Sequence, residues 1–195
     1  MKLIDSEKFD VAESELQKAK SRLSAAADRD ALDHVLSLLV TLNLSKEPSN
    51  LAKAESYCAE REQSIGTGYA KLQYAMTIYW SLDDPSRAVA KAREAVAKGR
   101  EEGDDRTVYQ SLGLLGLALL DLHENDQARN VLEDIGKMVA ARVRIVVGDE
   151  TLFLERFHAL TEDQRIKVTI QQIAQQLAAV CRDAEFRARL KTLAG

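Results

Sequence analysis

The sequence predicts an all-α fold, and three observations carry the prediction. Ala, Leu, Glu, Lys, Arg and Gln, the strong helix formers, dominate the 195 residues. Two prolines and nine glycines are too little punctuation for a many-turned β protein. Apolar residues recur at steps of three and four over most of the chain, the period of a helix that buries one face. The length suits one domain or one continuous array of small units. Hydrophobic residues at 46% and charged residues at 30% are globular values rather than those of a disordered tail.

Each helix follows from its own pattern. From Ser6 to Ala27, the residues Phe9, Ala12, Leu16, Ala19, Leu23 and Ala26 form one apolar stripe. "DRDALDHVLSLLVTLNL" sets Leu32, Val35, Leu36, Leu39 and Leu42 on a wider face. "SKEPSN" interrupts it, and Pro48 fits the first turn of the next helix, through "LAKAESYCAEREQ". The "GTG" of residues 66–68 ends that helix. "YAKLQYAMTIYWSL" and "SRAVAKAREAVAKGREEG" make a pair, with Asp84 as cap and Pro85 in the first helical position.

"LGLLGLALL", residues 112–120, is too short to span a bilayer, which takes about 20 apolar residues, and Asp121, Glu124 and Asp126 close it. It lacks β-branched residues, so it reads as a helix buried around most of its circumference. "HEND" turns the chain, and Asn125 is the expected cap of a helix reaching about Val147, with Gly148 as its stop. A short helix around "TLFLERFHAL" follows. Thr161 and Gln164 then form an expected capping box for a long helix with Ile166, Ile170, Ile173, Leu177 and Val180 on one seam. "AEFRARLKTL" closes the series.

Self-similarity is the strongest signal. Leu112, Leu115, Gly116 and Leu119 are followed by Ala128, Leu132 and Ile135; forty residues earlier stand Leu72, Ala75, Met76 and Tyr79, then Ala88, Ala92 and Ala95. Pro48 and Pro85 are 37 apart and each precedes Ser. These residues resemble the tetratricopeptide repeat, with large-residue, Leu-Gly and Tyr positions on one helix and an Ala-x-x-x-Phe pattern on the next. The period of about 37 to 40 is longer than the 34 of that family, and the family's terminal proline is absent. The resemblance implies a right-handed α-solenoid of about three helix-turn-helix hairpins over 1–147. Residues 148–195 would add capping helices to the same compact domain. Gly116 and Ala128 would be the close-approach points within one hairpin.

Function is less legible. A net charge of −4 argues against nucleic acid, and no apolar leader is visible, so the expected compartment is the cytoplasm. Cys58 and Cys181 read as buried thiols rather than a disulfide. His34, His123 and His158 are scattered without metal-site spacing, and the acidic pairs fall at helix ends, where capping explains them. The chain is therefore expected to be non-catalytic, with no cofactor, no metal and no membrane partner.

The resemblance implies instead a protein or peptide partner held in a concave groove. Matching the repeat register, the groove positions are Leu36, Val40, Asn43, Gln73, Thr77, Trp80, Gln110, Gly113, Leu117 and Leu120. They lack the Lys/Arg/Asn set that clamps a carboxylate. The groove is either open or filled by the chain's own C-terminal helices, and Trp80 is either a contact hot spot or filler between hairpins. The helix over 161–181 either caps the last hairpin or pairs with its copy in a homodimer. A self-assembling subunit and a regulatory or sensor module of a larger complex are the alternative functions.

Overall fold

The computed structural model describes residues 6–46, 48–141 and 149–195, and among them every regular element is an α-helix. In chain order they are α1 (Ser6–Ala26), α2 (Arg29–Ser45), α3 (Leu51–Ile65), α4 (Gly68–Ser81), α5 (Pro85–Glu102), α6 (Asp105–Asp121), α7 (Asn125–Ala140), α8 (Asp149–Leu160), α9 (Gln164–Val180) and α10 (Ala184–Ala194). None is long and apolar enough to cross a membrane, among the described residues.

Caps set the boundaries. Asp28, Asn50, Thr67, Asp84 and Asp104 each accept a hydrogen bond from a backbone N–H of the helix that follows, satisfying a donor the first turn leaves free. Pro85 stands in the first turn of α5 as expected, its missing N–H costing nothing there. Gly66 ends α3 with φ 69, a left-handed conformation that side chains resist. Three expectations shift. Asn50 caps α3, whose first residue is Leu51, so Pro48 lies two residues before the cap rather than in the first turn. Asn125 is the first residue of α7 after a cap at Glu124, which makes no side-chain bond to the backbone. Asp163 caps α9, while the Thr161 hydroxyl, two residues before that cap, accepts from Asp163 N. Helix α7 ends at Ala140; the expected stretch to Val147 and the Gly148 stop lie outside the described residues.

From α1 to α7 each helix packs on the next. The N-terminus of α4 meets the end of α5 at two glycines, where a Cβ on Gly68 would stand 2.8 Å from Gly99 N. Alternate helices are also laced by ion pairs: Lys20 to Glu60, Lys91 to Glu62, Arg100 to Asp134, and Arg129 to Asp163. The exposed ones, Arg100 with Asp134 and Arg129 with Asp163, stabilise by about 0–1 kcal/mol each, so they fix register more than they add stability.

Helix α1 is held by a buried carboxylate. Glu13, 7% exposed, meets Lys46 at 2.9 Å and Lys53 at 2.5 Å, and accepts from Tyr57 OH at 3.2 Å. Burial pushes its carboxyl up, but the bonds from Lys53, Lys46 and Asn43 outweigh that and lower it to about 2.

Every residue of α6 from Ser111 to Leu120 is buried, which answers what its long apolar run is for. Helices α4, α5, α7 and α8 surround it. The Gly116 expectation needs correction: its close neighbour is not α7 but Phe153 of α8, whose Cδ2 would lie 2.6 Å from a Cβ at residue 116. Phe153 stacks on Phe157, centroids 5.6 Å apart, and both rings lie in the core.

The α9 seam faces inward too. Ile166, Ile170, Ile173 and Leu177 are buried, and Ile173 rests on Gly136 of α7. The seam is therefore not open for pairing with a copy of itself; of the five seam residues only Val180 is exposed. One apolar core runs from Cys58 to Leu190, and a smaller one gathers Val35, Leu36, Leu39 and Tyr57 beneath α1.

Candidate functional site

The two cores come together at Val40, which packs against both. Between them, α2 and α4 leave a cleft of about 200 Å³. Val40 and Leu44 of α2 face Met76 and Trp80 of α4 across it, and Cys58 and Arg61 of α3 form its floor. These residues meet because 40 and 44, 58 and 61, and 73, 76, 77 and 80 are each three or four apart on their helix faces.

The floor is polar but electrically settled. Arg61, 3% exposed, forks onto Asp33, Nε to Oδ1 at 2.7 Å and Nη2 to Oδ2 at 2.8 Å. Its guanidinium also lies 5.5 Å from the Tyr69 ring. A buried charge costs much unless so paired, and the pairing leaves no free cation for a carboxylate ligand. Cys58 Sγ donates to Thr77 Oγ1 at 3.4 Å, and burial pushes the thiol up, which keeps it protonated and inert. Both cysteines are unpaired and buried.

Trp80 stands at the rim, 51% exposed, its ring edge-on to Tyr79 with centroids 4.6 Å apart. Tyr79 is fixed from below: its OH donates to Asp121 Oδ2 at 2.5 Å, and Arg156 Nη1 donates to Tyr79 OH at 3.2 Å. Burial, with the Asp121 bond added, pushes the Tyr79 phenol up to about 12. Asp121 is itself pushed up by burial, but bonds from Arg156 and Tyr79 win and hold it below the ordinary carboxylate range. The triad ties α4, α6 and α8 under the rim, so Trp80 projects from a rigid base.

The groove positions expected from the sequence divide sharply. Val40, Gln73, Thr77 and Trp80 line the cleft together. Leu36 and Asn43 are fully buried, Asn43 donating to Leu39 O at 2.9 Å and to Glu13 Oε1 at 3.5 Å. Gln110 is half-buried. Gly113, Leu117 and Leu120 are buried in the core around α6, on which α8 packs, and offer a partner no surface. That end of the expected groove is closed.

The sequence reading missed Leu44 and Arg61 as lining residues, and the Tyr79–Asp121–Arg156 triad altogether. No local signal marks a pairing such as Arg61 with Asp33, 28 residues apart. A second, larger cleft of about 470 Å³ lies between α5 and α7 and is lined by Arg93, Arg100, Asn130, Asp134 and Lys137. Asp134 holds both Arg100 and Lys137 there, at 2.9 and 3.1 Å.

His34 and His123 are exposed, and His123 serves a turn with φ 59; His158 is half-buried. No cluster of three or more His, Cys, Asp or Glu of metal-site geometry occurs among the described residues. No protein-family model and no curated protein matches the chain.

Proposed function

We propose that the chain is a non-catalytic protein-interaction scaffold, a tetratricopeptide-like right-handed array of about three hairpins. It takes a partner peptide or helix in the cleft between α2 and α4. The observation that carries this reading is Trp80: a large aromatic side chain, half exposed, at the rim of a cleft whose one lining charge, Arg61, is already paired with Asp33. Exposed Trp is costly in water and is the residue type most enriched among binding hot spots. The successive packing of α2 to α7 and the ion pairs between alternate helices support the array.

The chemistry of the cleft selects its partner. With Arg61 already neutralised by Asp33, the cleft favours an apolar side chain over a carboxylate. About 200 Å³ suits one large residue such as Leu, Met or Phe, presented by a short helix or extended segment. The same reading places the chain in the cytoplasm, where unpaired thiols persist.

Selection from a random peptide display library tests it. Enriched peptides should share one large apolar residue and bind the native chain at least about tenfold tighter than the Trp80→Ala variant. Failure to enrich any sequence, or equal binding to both proteins, contradicts the assignment.

A further inference from the structure

Helix α9 carries no charged side chain from Val168 to Cys181, in a chain of which 30% is charged. Its apolar seam is already spent on the core. The opposite face is exposed and holds Val168, Gln172, Gln175, Gln176, Ala179 and Val180, which helical spacing places on one stripe with exposed Arg165 at its N-terminal end. Val168 is 43% and Val180 64% exposed. Elsewhere the exposed helix surfaces carry ion pairs, such as Lys18 with Glu15 on α1, Lys98 with Glu101 on α5, and Lys137 with Asp134 on α7. From Val168 to Val180 this face can be dried without stranding a charge, the largest cost of burying a surface, while Arg165 lies a turn before it and stays in solvent.

We propose that this face pairs with the same face of a second copy of the chain, about a two-fold axis. Electrostatics choose the occupant. A carboxamide is both donor and acceptor, so a row of Gln amides flanked by Val and Ala is its own complement. Two-fold pairing sets the patch against its own copy, and a neutral patch does so without opposing like charges in any register. The area sets the strength. Seventeen helical residues run about 25 Å, and one helix laid on another buries less than the roughly 800 Å² per partner of a standard interface. The dimer is therefore weak and concentration-dependent. It leaves the α2–α4 cleft uncovered, so it stands or falls independently of peptide binding.

Sedimentation velocity on the full chain, from roughly 5 to roughly 500 μM, tests the proposal. The weight-average mass should climb from that of one chain towards that of two. Two paired variants, Gln172→Glu with Gln176→Glu and Gln172→Lys with Gln176→Lys, should each remain monomeric with unchanged helical circular dichroism. Their equimolar mixture should associate at least about tenfold more tightly than either alone. A native chain that stays monomeric throughout overturns the proposal. So does a dimer that survives in both variants, or a mixture no tighter than its components.

Discussion

The ring of Phe153 fills the space that a side chain at residue 116 would need: a Cβ on Gly116 would stand 2.6, 2.7 and 2.8 Å from three of its carbons. Phe153 cannot swing aside, because it is fully buried and stacked on Phe157. Gly116→Ala gains up to about 1 kcal/mol of helix propensity but overpacks the core, which costs about 1–3 kcal/mol. Urea unfolding should therefore show a net loss of about 1–2 kcal/mol. In a Phe153→Leu background the same substitution should cost less, with a coupling of about 0.5 kcal/mol or more. Equal costs in both backgrounds would show that α8 does not rest on Gly116.

Glu13 makes the attachment of α1 sensitive to acid. Its folded carboxyl is lowered from an ordinary 4.5 to about 2 by its bonds to Lys53, Lys46 and Asn43, despite burial. A depressed acid contributes stability that is fully present above its unfolded value and lost as pH falls through its folded one. Native stability should therefore exceed that of Glu13→Gln by roughly 1–3 kcal/mol at pH 7, with the gap closing between about pH 4.5 and 2. Denaturant titrations of both proteins at several pH values check this. A gap that stays constant down to pH 2 would mean Glu13 acts only by its shape.

Cys58 and Cys181 are both buried, and burial pushes the Cys58 thiol up. Reaction of the folded chain with an aromatic disulfide reagent should be at least about 100-fold slower than in urea, with both thiols titrating once unfolded. A peptide seated in the cleft should slow Cys58 further, since that thiol lies on its floor. Fast native labelling of Cys58 would show that the floor opens to solvent.

Local signals reached the helices, and long-range ones did not. Asp84 with Pro85 wrote the start of α5 in two residues, and Gly66 the end of α3. Asn125 misled by one position because the chain turns a residue earlier, at His123, and the cap falls on Glu124. The all-round apolarity of α6 announced burial but not what buries it. Gly116 fits the pattern of a hairpin contact, yet its neighbour comes from α8. The same frame reaches 38 residues further, with Phe153, Phe157, Ile166, Ile170 and Ile173 in the places of Leu115, Leu119, Ala128, Leu132 and Ile135. There Leu154 and Ile166 replace the small Gly116 and Ala128, and α8 takes its main packing from α6 rather than from α9. Of the cleft, Val40, Gln73, Thr77 and Trp80 were legible as one face. Buried Glu13 was not, because only Lys46 and Lys53, brought in from other helices, make its burial tolerable.

If the α2–α4 cleft receives an apolar side chain against Trp80, that indole reports on it directly as the chain's single tryptophan. The decisive measurement is its fluorescence during titration with a display-selected peptide. Free, the half-exposed indole should emit at long wavelength and be readily quenched by acrylamide. On binding, emission should shift saturably to shorter wavelength with quenching suppressed. Emission and quenching that stay unchanged while the peptide binds would place the partner elsewhere and contradict the account.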